Sequence, residues 1–340
     1  IGKIKIKAIH TPGHTIESTC YLLIDEKGKE RALFSGDTLF IGDVGRPDLA
    51  VKTNLTKEDL AGLLFDSLRN KILPLNNDII VYPAHGAGSA CGKNISKETF
   101  DSLGNQKQTN YALNKNLKKE EFVKEVLEGI LPPPQYFPKN VELNKSTIKK
   151  TIEQIIVSGA KPLNIKEFDN EVKQGALILD VRHQKDFVKG FIPGSWFIGI
   201  DGGFAPWVGS LIKDINQKIV IVCPEGREEE VVTRLARVGY DNSVGFLKGS
   251  FLSWEKTGRK IDTITQETAT ELEAKSKKEI NILDVRKLTE YNVEHIESAK
   301  NKPLIDLFNH YKEIEKEKKY HIHCAGGYRS VIYISILKSK

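Results

Sequence analysis

Near the end of this 340-residue chain a short apolar strand runs into Cys324, the segment "HCAGGYRS" turns through two glycines, and a helix begins around Ser330. Backbone N–H groups of such a loop converge on the sulfur as an anion nest, reinforced by the helix N-terminus and by Arg329. These surroundings lower a thiol pKa and stabilise a thiolate or a bound persulfide, with Gly326, Gly327, Tyr328 and Ser330 as the loop groups around the anion. A cysteine that merely filled a strand end would not need two glycines, an arginine and a serine behind it. A second set of chemically able residues lies at the other end: His14 in "TPGHT", Asp37 in "FSGDTLFIGDVGRPD" and His85 in "YPAH". Each follows or sits in a tight turn, which is how backbone fixes the geometry of a metal ligand. Cys91, six residues past His85 in a glycine-rich loop, is either a small residue in a bend or a thiol beside that metal. Cys20, on an alternating strand, reads as core, and His10 as structural.

These residues need elements to hold them. Residues 1–40 read as short strands joined by turns: "KIKIKAIH", "TCYLLID" and "RALFSGD". "TKEDLAGLLFDSLRNKILPL" has apolar residues at helical spacing, with Thr56 as N-cap and Glu58 and Asp59 in the first turn. A buried-strand run, "DIIVYPAH", and a further helix, "KKEEFVKEVLEGI", lead to "LPPPQYFP", which cannot be helix interior and marks a domain boundary near residues 131–140.

Beyond that boundary the chain repeats. "ALILDVRHQKDFVKGFIPGS" (176–195) parallels "INILDVRKLTEYNVEHIESA" (280–299), and "KIVIVCPEGREEEVVTRLARVGY" (218–240) parallels "YHIHCAGGYRSVIYISILKSK" (320–340). A spacing of about one hundred residues suits tandem domains, and each copy reads as a small doubly wound α/β unit with a parallel sheet. The first copy has Cys223 where the second has Cys324, but its loop is "CPEGREEE". Arg227 comes one place early, and Glu228, Glu229 and Glu230 stand where an anion would be cradled, so like charge raises the thiol pKa and repels a persulfide. This copy is expected to pack or dock rather than catalyse. Its "GIDGGFAPWVGSLI", with Phe204, Pro206 and Trp207 among glycines, reads as a domain interface.

Composition bounds the rest. Lys and Arg (51) exceed Asp and Glu (45) by only six, with no basic run interleaved with aromatics, which argues against nucleic-acid binding. No apolar run reaches membrane-spanning length. Four well-separated cysteines without a CxxC favour a reducing cytoplasm over a disulfide framework. The chain starts at Ile1 on a strand-like segment, holds no Met and ends inside an apparent helix, so both ends are expected to be cut.

The Cys324 loop, with "LDVR" and "EYNVEHIESA" before it, resembles the rhodanese (sulfurtransferase) family over nearly all of 262–340. That resemblance implies that Cys324 carries sulfane sulfur as a persulfide, and that Asp284 and Arg286 are scaffold. The pattern "TPGHT … SGD … YPAH" resembles the metallo-β-lactamase superfamily, an αββα sandwich with metal ligands on loops at one edge and a first ligand cluster, HxHxDH, expected upstream of residue 1. Within it, "LFIGDVGRPDL" is similar to the persulfide dioxygenase branch. This likeness implies one Fe(II) per chain on His14, Asp37 and a third, upstream His, with His85 beside the iron. By the same likeness Arg46 would hold the anionic end of the thiol cosubstrate; Cys91, close in sequence to the metal loop, is a candidate gate or sulfur acceptor there, with the small residue in a bend as its equal alternative.

The implied architecture is mixed α/β and α+β. Residues 1–135 form part of the sandwich and 136–157 a linker and helix. A non-catalytic rhodanese-like domain (158–258) and a catalytic one (262–340) complete it. The whole resembles bacterial dioxygenase–rhodanese fusions of sulfide detoxification. Such proteins use O₂ to oxidise the persulfide of glutathione, coenzyme A or a similar thiol to sulfite, and exchange sulfur with sulfite or thiosulfate. A homo-oligomer is compatible with this. Two rivals stand beside it: a zinc thioester hydrolase of the glyoxalase II kind fused to rhodaneses, and a non-enzymatic sulfur carrier.

Overall fold

A computed structural model describes residues 2–49, 55–87, 89, 91–130, 136–146, 150–275 and 280–340. The proline run at 131–134 and parts of the glycine-rich loop 86–93 therefore lie outside the described residues. The chain divides into two compact units, Ile1–Pro133 and Pro134–Lys340.

In the first unit, strands β1 (Lys5–His10), β2 (Thr19–Ile24) and β3 (Glu30–Gly36) form an antiparallel meander. Helix α1 (Lys57–Ser67) returns the chain so that β4 (Ile80–Pro83) lies parallel to β3, and β5 (Asp101–Ser102) closes the edge before α2 (Leu103–Thr109) and α3 (Lys119–Leu127). α1 begins at a reciprocal cap: Thr56 Oγ1 accepts from the Asp59 N–H at 3.1 Å, and Asp59 accepts from the Thr56 N–H at 2.9 Å. Leu60, Leu64 and Leu68, four residues apart, present one apolar stripe to Leu22, Leu33 and Val81, all fully buried. Alternation puts Tyr21, Phe34 and Tyr82 on the other face of the sheet, where register aligns them into a row that Phe100 extends with its ring tilted against Tyr82 at 5.8 Å. These four side chains are 40–56% exposed, so β4 is half-open rather than the buried strand its apolar run predicts. One face carries helices and the other is open and aromatic, as in one layer of a sandwich.

The second unit opens with α4 (Tyr136–Lys145) and α5 (Ile152–Gly159). β6 (Pro162–Leu163), α6 (Ile165–Lys173), β7 (Leu177–Asp180), α7 (Gln184–Phe187), β8 (Trp196–Phe197), α8 (Phe204–Leu211), β9 (Ile219–Val222), α9 (Glu228–Ala236), β10 (Ser243–Leu247) and α10 (Ser250–Glu255) follow. Their strands make a parallel sheet in the order β6-β10-β9-β7-β8, wound on both faces by helices. Ile219–Val222 is buried throughout, as a central parallel strand requires.

The repeat then recurs in shorter form: α11 (Ala269–Glu273), β11 (Asn281–Asp284), α12 (Leu288–Val293), β12 (Ala299–Asn301), α13 (Leu307–His310), β13 (Tyr320–His323) and α14 (Tyr328–Lys338). Its sheet, β12-β11-β13, is parallel and three-stranded. So small a sheet buries little by itself, and α14 leans on the first copy. Val331, Ile332, Tyr333 and Ile336 join Phe197, Ile198 and Phe187 in one continuous core. Among the described residues no helix is long and apolar enough to cross a membrane.

Candidate functional site

The turn that carries His14 is pressed onto α1: a Cβ on Gly13 would stand 2.4 Å from Leu64 Cα, so only glycine permits the approach. Ser67 Oγ ties the same turn down by donating to the Pro12 carbonyl at 2.8 Å. His14 is thereby buried, and its Nδ1 lies 2.8 Å from the Arg46 carbonyl oxygen. A carbonyl can only accept, so Nδ1 carries the proton and Nε2 presents a lone pair. That lone pair faces Asp37, whose Oδ2 is 3.5 Å away, while His85 Nε2 approaches Asp37 Oδ1 at 3.3 Å. Gly45 makes this possible from behind, since a Cβ there would fall 1.9 Å from the Asp37 carbonyl oxygen.

Cys91 is brought to the same place. Ligand atoms of Asp37, His85 and Cys91 lie within 4.8 Å of one another. Asp37 Oδ1 is buried without a hydrogen-bond partner among the described residues, an arrangement that costs about 1–3 kcal/mol or more unless something cationic fills it. A carboxylate between two imidazoles, one held in its ligating tautomer, with a thiol adjacent, fits a divalent transition metal. Burial raises the Cys91 thiol pKa, and the Asp37 charge adds to that against the Ser89 hydroxyl and Arg46.

Arg46 is placed differently from a free anion clamp. Its guanidinium is buried, and Nε and Nη2 each donate at 2.6 Å to Asp48, while its backbone N–H donates to the Cys91 carbonyl at 2.8 Å. It therefore braces the loop that orients His14 and joins it to the Cys91 loop. Asp43, which sequence reasoning passed over, does the same work more strongly. Its Oδ2 accepts from the N–H groups of Lys93 and Asn94 at 2.7 Å each, and Asn110 Nδ2 donates to its carbonyl at 3.1 Å. Gln106 completes the brace by accepting from the Gly42 N–H at 2.9 Å. Gln106, within α2, and Asn110, its C-cap residue, are buried polar groups that no sequence periodicity marks. His10 bonds the Ile16 carbonyl from an exposed position, and Cys20 is fully buried in the core.

In the second unit the two cysteine loops diverge as their residues dictate. Burial raises the Cys324 pKa, but the N–H and hydroxyl of Ser330 and the N–H groups of Gly326 and Gly327 outweigh it and hold the thiol below its ordinary value. Ser330 Oγ is 3.6 Å from the sulfur. Arg329 flanks the nest, with its guanidinium bidentate to Glu290 at 2.6 and 2.8 Å. Asp284 is fully buried and pairs with Arg286, which also reaches the Glu294 carbonyl.

At Cys223 the nest is already taken. Glu228 accepts from the Gly226 N–H at 3.1 Å, and Arg227 is bound to Asp201 and Glu230. Burial first, then Glu228 and Asp180, push that thiol up to about 12. Phe204 is buried in the shared core with Trp207 packed against it, while Gly199 and Gly202 of the same stretch touch Tyr328 of the second copy.

The Rhodanese-like domain family matches residues 164–257 and 268–339. Over 92 residues the chain is 33% identical to the hydroxyacylglutathione hydrolase GloC of Haemophilus influenzae, covering 27% of this chain and 38% of that protein. The chain thus spans less than two fifths of that relative. A metallo-beta-lactamase from Staphylococcus aureus subsp. aureus COL has a similar structure, with a TM-score of 0.60 and 29% identity over 73% of this chain and 67% of that one. ETHE1 from Myxococcus xanthus matches at a TM-score of 0.33 and 28% identity, over 42% of this chain and 54% of that one.

Proposed function

In a chain that joins a metallo-β-lactamase-like region to rhodanese-like domains, we propose that two sulfur chemistries are coupled: oxidation of a low-molecular-weight thiol persulfide to sulfite by O₂, and sulfane-sulfur transfer at Cys324. The observation that carries the proposal is the Cys324 nest, a thiol held below its ordinary pKa and ringed by N–H donors, in the same chain as the His14–Asp37–His85 cluster. In the transfer step the thiolate attacks the sulfane sulfur of thiosulfate. A Cys324–S bond forms as the S–S bond of thiosulfate breaks, and sulfite leaves with the electron pair. Gly326, Gly327 and Ser330 hold the persulfide that results, and attack by a second thiol or by sulfite regenerates Cys324. Cys223, protonated and faced by Glu228, takes no part.

In the first unit His14 and Asp37 would hold a metal, with His85 and Cys91 beside it. A mononuclear ferrous ion bound there would supply the redox chemistry for a four-electron oxidation of one persulfide sulfur by one O₂. The Arg46 carbonyl keeps His14 in its ligating tautomer, and Asp43 keeps the Cys91 loop against the site. Glutathione, coenzyme A or a similar thiol leaves as the reduced thiol, and the shared chain raises the local concentration of sulfur intermediates.

A second reading has one observation of its own: the relative GloC is named a hydroxyacylglutathione hydrolase, which favours zinc and thioester hydrolysis. Metal content and O₂ uptake of the full-length protein separate the two. One iron and O₂ consumption with glutathione persulfide are expected; two zinc ions and no O₂ uptake sink the dioxygenase. Cys324→Ser is expected to abolish thiosulfate exchange and leave O₂ consumption intact. Loss of both together would show that the sites are not separate.

A further inference from the structure

The copy whose cysteine is disarmed touches the loop of the copy whose cysteine is not. Tyr328 stands between Gly327, whose N–H faces the Cys324 sulfur, and Arg329. Its hydroxyl donates a 2.6 Å hydrogen bond to the Gly199 carbonyl, and its ring meets Phe197 edge-on at 5.7 Å. The space for that ring exists because two residues of the first copy have no side chain. A Cβ on Gly202 would stand 2.3 Å from Tyr328 Cζ, and one on Gly199 would stand 3.2 Å from its Cε2. Farther along the same helix, the Phe197 N–H donates to Ser335 Oγ and Trp196 Nε1 donates to Ser339 Oγ, both at 2.9 Å, so α14 is strapped along β8.

The loop itself supplies little rigidity. Gly326 and Gly327 have open space where a Cβ would point, and glycines lose the most freedom on being ordered. Ser330 pins one turn by donating to the Gly327 carbonyl at 3.1 Å. What fixes the loop to a body outside its own small sheet is Tyr328.

We propose that the first rhodanese-like copy is the positioning half of the sulfur site: its 199–203 turn seats Tyr328, and this holds the Cys324 loop in the form whose N–H groups face the sulfur. Tyr328, expected from the sequence to be among the groups around the anion, instead turns its side chain to the first copy, and with Gly199 and Gly202 it is a positioning residue that acts through the loop. This rests on the reading of Cys324 as the sulfur carrier, but it also predicts the ionisation of that thiol, which is measurable without any transfer.

The test uses the full-length protein. Alkylation of Cys324 by iodoacetamide is followed from pH 5 to 10 by peptide mass spectrometry, which separates it from Cys91. The variants are Gly202→Ala, Tyr328→Ala, Tyr328→Phe and the double Gly202→Ala/Tyr328→Ala. Gly202→Ala and Tyr328→Ala are each expected to raise the midpoint by about one unit, slowing alkylation about tenfold at pH values below the wild-type midpoint, while Tyr328→Phe, which keeps the ring, stays within about threefold of wild type. Because both changes break one contact, the double variant is expected to be no slower than either single one. Midpoints that do not move, or effects that add, overturn the proposal. Should Gly202→Ala fail to fold, the contrast between Tyr328→Ala and Tyr328→Phe decides alone. If wild-type Cys324 takes no sulfane sulfur from thiosulfate, the transferase reading falls while the alkylation profile still judges the clamp.

Discussion

At the scale of single residues, the two cysteines at matching positions show how neighbours set reactivity. Cys223 and Cys324 follow corresponding strands of the two copies, β9 and β13, yet the Cys324 thiol is held low by donors and the Cys223 thiol is pushed up to about 12 by burial and carboxylates. The Arg329–Glu290 pair beside the Cys324 loop makes a separate prediction. The Arg329 hydrogen bonds hold Glu290 well below the ordinary carboxylate range, at about 2. Its folded-state value is depressed, so the pair's contribution is fully present above the unfolded value of 4.5 and is lost as pH falls through about 2. Glu290→Gln is expected to lower stability at pH 7 by about 1 kcal/mol, since the partly exposed carboxylate is screened by solvent. The gap to wild type in urea midpoints should close between pH 4.5 and 2; a gap independent of pH would mean that the pair contributes nothing.

At the scale of elements, the candidate metal site is held by loop-to-loop hydrogen bonds more than by strands. Asp43 is the hub, with two N–H groups of the 91–94 loop on one carboxylate oxygen. Asp43→Ala leaves both donors without an acceptor and is expected to cost about 2–6 kcal/mol, about 1–3 for each N–H so stranded. Cys91 should then react with thiol reagents severalfold faster, because its loop is no longer tied to the His14 side. Unchanged Cys91 reactivity would show that the Arg46 N–H bond alone suffices to hold it. Helix α1 was legible in advance, cap included, because Thr56 and Asp59 are three apart and Leu60, Leu64 and Leu68 recur at four. The brace made by Asp43, Gln106 and Asn110 was not, because its partners lie more than sixty residues apart and no periodicity links them.

At the scale of the second unit, the tandem copies share a core that neither the repeat nor its spacing announced. Phe197 is fully buried at the seam, 4.9 Å from the Phe187 ring and 5.7 Å from Tyr328. Phe197→Ala is expected to cost about 3–5 kcal/mol. It should lower hydrogen-exchange protection in β7 and β9 and in β11 and β13 together. Loss confined to the first copy would mean that the second folds on its own core.

Within the sequence lay everything that depends on local chemistry. The glycine–arginine–serine loop after Cys324 and the acidic substitutes after Cys223 were readable because a thiol's neighbours in the chain are its neighbours in space. So were the tight turns around His14 and Asp37 and the parallel α/β character of the repeat. Tertiary structure alone decided what depends on distant segments meeting. It put the Asp37 carboxylate between two histidines and beside Cys91, turned the Arg46 guanidinium to Asp48 and its carbonyl to His14, and laid Tyr328 on two glycines about one hundred and thirty residues earlier. Those contacts are set by packing, where the space one residue leaves is as decisive as the group another brings, and no window along a single chain carries that information.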